Sequence, residues 1–407
     1  MRIIHPRRMA MCLLVAAAAA LSACGSSDSD SGSGSAKSDG STGHTALTIG
    51  FVGALTGPLS ASGNDALAGL KAGVAYVNAQ HGPYTYRIAS RDSGGDPTHA
   101  VAATRELAQG HVAGIYFTTE AFPAVQQILN QTKTIGISPG IGPILDQAGD
   151  GKADPWAFST GTAAGLPAVA PHIAYAQAGG GPVAELSEAS AYGQSQAALT
   201  AAQAKQTPGL KIVSRDFPTT ARDVSKQLGD LQASGAKTLV VWTYGQGLVT
   251  VIQDLKKVGW APRLAGPLAF ADPAIVKAAP ASLLANAVAG PMPKTFLATQ
   301  PGQAPTGIAA EFVKRYLAAT GKQQFAGLDE VGAFSFDTAI VLDAAARTAH
   351  GADATKMKAA LTSGTPISGA QGRYVFGPDQ RIGLGADQLG LFKAGEPCDA
   401  GTCIATG

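Results

Sequence analysis

The sequence predicts an α/β chain of two Rossmann-like lobes, each a parallel sheet covered by helices. Three observations lead there. Short apolar runs of strand length alternate with stretches of helical period across residues 47–291. The alternation falls into two series, the second opening near Thr160. Turn formers separate most of the steps, so strand, loop and helix recur as the first half of a βαβ unit. Strands alternating with helices of about 10 to 15 residues imply parallel sheet covered on both faces.

The template is residues 47–80, LTIGFVGALTGPLSASGNDALAGLKAGVAYVNAQ. Leu47, Ile49, Phe51 and Val52 make a strand, and residues 53–63 are rich in turn formers. Leu67, Leu70, Val74 and Val77 then repeat at spacings of three and four, a helical stripe. The loop between them leaves the carboxyl end of a strand, which is where ligands bind in open α/β sheets.

The first series continues with a strand over 84–90 and a helix opened by Asp96 and Pro97, a cap followed by proline at the first helical position. That helix stops at Gly110. A strand follows over 112–117, a helix over 121–131 and a strand over 134–138. The second series reads as helix 166–177, strand 183–186, helix 192–205, strand 211–217, helix 223–233, strand 238–242 and helix 247–258. The last third departs from this rhythm. Helices are expected over 305–320, 329–350 and 353–361, and then strands over 373–376 and 388–392 pairing as a hairpin.

Ahead of the body, residues 1–23 read as a targeting segment. Arg2, Arg7 and Arg8 precede an apolar run over 9–21 that is short for a permanent span. The run ends in Leu21-Ser22-Ala23-Cys24, which resembles the lipobox of bacterial lipoproteins, where the cysteine is acylated and becomes the first mature residue. An ordinary signal peptide with a chance cysteine is the alternative. Residues 25–43 are almost entirely Gly, Ser, Asp, Lys and Thr, a solvated tether that can bury no core.

Without the leader, the 30 basic residues fall to 27 against 28 acidic, a net charge of −1. That argues against a nucleic-acid partner, which requires a basic footprint. Cys398 and Cys403 form a close pair in CDAGTC, read as a disulfide in an exported protein, with a zinc half-site as the alternative. Five of the seven histidines, His81, His99, His111, His172 and His350, are scattered singly and are expected at helix ends or on the surface. No cofactor fingerprint or metal spacing is visible. Gly136-Ile137-Ser138-Pro139-Gly140 fits the pattern of a hydrolase elbow, but Pro139 lacks the N–H that such an oxyanion hole needs.

Several stretches in order carry a family resemblance: residues 49–78, RDSGGDPTHAVAATRELAQ, SPGIGPIL, AYGQSQAA, ARDVSKQLGDLQASGAKTLVVWTYG and GPLAFADP. Together they resemble the type I periplasmic binding proteins, specifically the leucine/isoleucine/valine-binding family of ABC-transporter solute receptors, over nearly all of residues 46–395. The resemblance implies lobes at 46–160 plus 292–367 and 161–291 plus 368–407, joined by three crossovers near 160, 291 and 367. It implies a small organic ligand, amino-acid-like or a related carboxylate or amide, captured between lobes that close by a hinge. The implied protein is a monomeric, lipid-anchored extracytoplasmic receptor that serves a membrane ABC permease and has no enzymatic activity. A sensory receptor of the same fold and a hydrolase using Ser138 are the alternatives.

Site residues carried by the resemblance are Ser62, where the family offers an aromatic, and Thr118, Thr119 and Glu120, a hydroxyl and amide loop for the ligand carboxylate. Unpaired N–H groups at a helix start favour anions. Gly140 and Ile141 offer backbone, although Gly142 lacks the family's second hydroxyl. Tyr192 and Tyr244 match aromatic cleft residues. The family's acid for the ligand ammonium is replaced by Leu268, so either the ligand has no ammonium or another acid serves, Glu120 first in line.

Overall fold

The structure, a computed structural model, describes residues 44–140, 153–162, 164–271, 275, 277, 279–300, 302–326, 329–394 and 403–405. Cys24, Ile141 and Cys398 lie outside the described residues, as do the leader and the tether up to Gly43.

The first sheet is built from β1 (Thr45–Gly53), β2 (Tyr84–Asp92), β3 (Gly114–Phe117), β4 (Gly136–Ser138) and β5 (Ala157–Ser159). All pair in parallel, in the order β2-β1-β3-β4-β5. Helices fill the crossovers among its first four strands: α1 (Ser60–Asn78), α2 (Pro97–Gln109) and α3 (Phe122–Thr132). Asp96 caps α2 as the sequence predicts, its carboxylate accepting from Thr98 N at 2.6 Å, with Pro97 opening the helix.

The second sheet contains β6 (Val183–Glu188), β7 (Ile212–Phe217), β8 (Thr238–Trp242), β9 (Arg263–Gly266), β10 (Ala287–Pro293) and β14 (Leu389–Lys393), in the order β14-β10-β9-β8-β6-β7. Only β14 runs antiparallel. Its helices are α4 (Gly165–Ala178), α5 (Ala191–Lys205), α6 (Ser225–Ala233), α7 (Gly245–Lys257) and a single turn, α8 (Ala281–Leu284). After Pro293 the chain returns through α9 (Gly307–Thr320), α10 (Glu330–Ala349) and α11 (Ala354–Leu361). The two-lobed α/β architecture is therefore present.

Helix α10 lies directly on α1. A Cβ on Gly69 would sit 2.0 Å from Gly332 O and one on Gly73 2.4 Å from Phe336 O, so side-chain-free positions let the two backbones touch. Ser335 Oγ donates to Ala66 O at 2.6 Å across the same seam. Tyr374, Phe376, Ile382 and Leu384 pack into the first core, before the chain enters the second sheet at Leu389.

Two sequence expectations are corrected. Residues 373–376 and 388–392 do not pair with each other. β13 (Arg373–Tyr374) pairs with β12 (Ile367–Ser368), and β14 completes the second sheet beside β10. A free edge of β10 offers β14 a longer ladder than a two-residue partner could. His172 is not on the surface. It is fully buried in α4, with Nε2 at 2.9 Å from Gly266 O and its ring against Trp242.

Candidate functional site

In a parallel sheet, register decides which loops meet at the carboxyl edge. In the first sheet Gly53 pairs with Asp92 and Val52 with Phe117. The loop after β1 therefore emerges between Asp92 and Thr118. In the second, Ser187 pairs with Trp242, which sets Glu188 beside Thr243 and Tyr244.

The first-lobe wall is tightly drawn. A Cβ on Gly53 would meet Thr118 Cγ2 at 2.7 Å. One on Gly63 would meet Ala54 O at 1.8 Å, so the first turn of α1 rests on the loop backbone. Asp92 Oδ1 accepts from Leu55 N at 2.8 Å, Thr56 N at 3.3 Å and Gly94 N at 2.8 Å, while Thr56 Oγ1 donates to Oδ2 at 2.6 Å. These bonds to the ionised form, the Thr56 hydroxyl foremost, pull the Asp92 carboxyl down to about 2. Thr118 is buried and Thr119 half-buried. The Thr118 hydroxyl donates to Glu120 Oε1 at 2.6 Å, and Ala54 N donates to the same oxygen at 3.3 Å. The hydroxyl expected to greet a ligand carboxylate thus faces a carboxylate of the protein itself.

The second-lobe wall is aromatic. The Tyr192 and Tyr244 rings lie 4.4 Å apart between centroids, tilted by 54°. Ser190 caps α5 through Gly193 N, and a Cβ on Gly193 would strike Glu188 O at 2.1 Å, the device Gly63 uses in the first lobe. Tyr244 exposes 40% of its surface, yet burial pushes its hydroxyl up to about 12 despite the hydrogen bond from Tyr192 that lowers it. Tyr244 is thus a part-exposed ring at the carboxyl edge of the second sheet. Trp242, one step earlier, is core: its Nε1 donates to Glu185 at 2.9 Å and Thr200 at 3.2 Å.

The remaining predicted positions contribute unequally. Gly140, at φ +97°, turns its N–H to Ser138 Oγ at 3.2 Å, and a Cβ there would meet Ala164 at 2.3 Å, so it packs on the crossover. Ser62 is exposed on α1. Leu268 is half-buried in a 3-10 turn against the second core. Of the cysteines only the backbone of Cys403 is described, pairing with Leu297.

Sequence reasoning missed Glu330. It opens α10, fully buried, and neither Oε1 nor Oε2 has a hydrogen-bond partner. Burial holds the carboxyl well above the usual range, against a lowering influence from the Thr162 hydroxyl. Its charge reaches Tyr244 and Tyr374. The available signal was an acid four residues before Phe334 on the apolar stripe of a long helix. A groove of about 590 Å³ is lined by Tyr175, Arg263 and Lys294 and by none of the predicted site residues.

Residues 46–386 match the family profile described as periplasmic binding protein. Solved structures share the fold. A type 1 periplasmic binding protein from Bordetella pertussis Tohama I aligns at TM-score 0.69 and 21% identity, covering 86% of this chain and 96% of that one. An ABC transporter substrate-binding protein from Sphaerobacter thermophilus aligns at 0.72 and 20%, covering 89% and 97%. The branched-chain amino acid transporter substrate binding protein of Streptococcus pneumoniae, in complex with isoleucine, aligns at 0.64 and 18%, covering 89% and 100%. A search of curated protein sequences finds no match.

Proposed function

The chain belongs to the periplasmic binding protein family, and on that premise we propose that it is an extracytoplasmic solute receptor which captures one small organic molecule between its lobes for an ABC permease. The observation that carries this reading is Tyr244, 40% exposed and paired with Tyr192 at the carboxyl edge of the second sheet. Aromatic walls with a few placed polar groups are what small-molecule sites use. Thr118, Thr119 and Glu120 are proposed for the facing wall, and Ser62, Gly140, Ile141 and Leu268 are the remaining positions that the resemblance suggests. The isoleucine-bound relative makes amino acids the first solutes to try. Capture becomes a transport signal only if the solute favours the closed form.

The receptor is held to the membrane by acylation of Cys24, and residues 24–45 act as the tether. Among the described residues no helix is long and apolar enough to cross a membrane. The Cys398–Cys403 disulfide closes the C-terminal end, the protein is a monomer, and it does no chemistry on its ligand. The lobes are 46–160 plus 292–367 and 161–291 plus 368–407.

Thermal melts of the purified protein against amino acids, amines, amine-free acids, amides and sugars test the capture. A solute at 100 times its Kd stabilises by about 2.7 kcal/mol, well within reach of a melting curve. A protein that no solute stabilises would not be a receptor of this kind. Growth with labelled palmitate tests the anchor: label should enter the protein and vanish with Cys24→Ala.

A further inference from the structure

We propose that Glu330 is the counter-charge for a cationic group of the bound solute, so that the receptor takes amino acids or amines rather than amine-free acids. The inference deepens the solute-receptor reading and rests on it.

The placement of Glu330 comes from one face of α10. Residues 330, 334 and 338 follow each other at four-residue spacing and so lie one above another. Thr338 Oγ1 is 3.3 Å from Thr160 Oγ1, and the Thr160 hydroxyl donates to Phe334 O at 2.8 Å. This face therefore runs along the strand connecting the lobes. One turn further toward the helix start, Glu330 stands beside Thr162 on that same connection. Helical side chains lean toward the N-terminus, which aims the carboxylate past the connection. When ionised, Glu330 would push up the hydroxyls of Tyr374, in the first core, and of Tyr244, at the edge of the second sheet. Glu330 thus lies on the face of α10 that runs along the connection between the lobes.

Its condition is unusual for a buried acid. Glu185, also buried, accepts from Ser214 at 2.7 Å and Trp242 at 2.9 Å. Asp337, two turns further along the same face of α10, accepts from Ala370 N, Gln371 and Tyr374. Glu330 has no such donor on either oxygen. A buried ionised carboxylate with no partner is costly, so it holds a proton or a cation. Among the described residues no lysine, arginine or histidine acts on it. The facing titratable groups are Tyr244 and Tyr374, both high in pKa, so neither supplies a charge near neutral pH.

The surroundings point the same way. Residues 53–59, 118–121, 188–190, 243–246 and 267–271, five of the loops at the carboxyl edges, contain no lysine, arginine or histidine, although the loop after β4 carries Lys152 and the loop after β7 carries Arg222. They contain Glu120 and Glu188. An anion would find no side-chain cation there, whereas an ammonium would meet acids and aromatic faces. When the ammonium arrives, the Glu330 proton leaves to the buffer, and the ionised carboxylate accepts hydrogen bonds from the ammonium.

The test compares the parent and Glu330→Gln in melts and calorimetry with leucine, isoamylamine and isocaproate, which share a carbon skeleton and differ in ammonium and carboxylate, with lysine and spermidine added. Amine-bearing probes should stabilise the parent and isocaproate should not. Glu330→Gln should weaken them by about ten- to a hundred-fold, the loss of one charged, buried hydrogen-bond pair. Calorimetry near neutral pH in buffers of different ionisation heat should show close to one proton released per probe bound by the parent, and fewer by the variant. Isocaproate binding as well as leucine, or amine probes binding both proteins equally without proton release, overturns the counter-charge and leaves the receptor reading standing. If nothing in this set or in the wider solute panel stabilises the parent, the receptor reading falls first and the counter-charge with it. Without ligand the variant should be at least as stable as the parent; a destabilised variant would reveal a structural partner and overturn the proposal independently.

Discussion

The Tyr374 hydroxyl donates to Asp337 Oδ2 at 2.7 Å, with both residues fully buried. The same carboxylate accepts from Ala370 N at 2.6 Å, Gln371 N at 3.0 Å and Gln371 Nε2 at 3.2 Å. One side chain of α10 therefore holds the segment that leads back toward the second sheet. The Tyr374 hydroxyl and Gln371 Nε2 also reach Thr160 O, at 3.1 and 2.9 Å, so the outgoing and returning connections are knotted at one point. Asp337→Ala strands several buried donors, each worth about 1–3 kcal/mol. The expected loss is at least about 3 kcal/mol in urea denaturation, with Asp337→Asn milder. A change below about 1 kcal/mol would show that the knot is not structural.

Two buried groups oppose each other in acid. Burial raises the Asp337 carboxyl to about 6, so its contribution is full at low pH and is lost as pH climbs from its unfolded value near 4. Burial lowers His172 to about 4, so its contribution is full above about 6.5 and is lost as pH falls. Each shift is worth roughly 3 kcal/mol at 1.36 kcal/mol per unit. In His172→Gln the amide nitrogen keeps the bond to Gly266 O but does not titrate. The variant should gain roughly 3 kcal/mol on the parent between pH 7 and 4, read from denaturation curves at each pH. A pH-independent difference would mean that His172 takes up its proton as readily in the folded state as in the unfolded one.

Glycine positions that look alike in sequence should behave in opposite ways. Gly63→Ala drives a Cβ into Ala54 O and should cost about 1–3 kcal/mol, and it should weaken solute binding by displacing the loop. Gly229, inside α6, has open space where a Cβ would stand, with no heavy atom within 4 Å, so Gly229→Ala should stabilise by about 0.5–1 kcal/mol. Melting temperatures of the two variants moving in the same direction would refute this.

Tyr244→Ala should separate binding from folding. Its ring is 40% exposed, so the free protein should lose no more than about 1 kcal/mol. Affinity for the stabilising solute should fall by about ten-fold or more if the ring contacts it. Unchanged affinity by calorimetry would move the aromatic wall out of the site.

Strands and helices are legible in the sequence because their periods are clean. The β1–α1 stripe of Ile49, Phe51, Leu67, Leu70 and Val74 is all buried. Short elements are not: β5 has three residues, and its neighbours in the sheet, not its own pattern, define it. The pairing of β14 with β10 joins residues about a hundred apart, which no local period records. Pattern alone puts His172 on the surface, because its partners Gly266 and Trp242 arrive from distant strands. Tyr192 and Tyr244, both expected in the cleft, do meet. Glu330 escapes notice because a helix-start acid usually faces water. Only the packing of α10 on α1 and on the 160–162 connection places this one inside.

The grip of Asp92 on Leu55, Thr56 and Gly94 has a thermodynamic sequel. Conformational freedom surrendered when the chain folds need not be surrendered again on association. Residues 54–56 are held by bonds within the protein itself, so a solute that docks there, as proposed, would meet a finished surface. The entropy of recognition is then concentrated in whatever else must move.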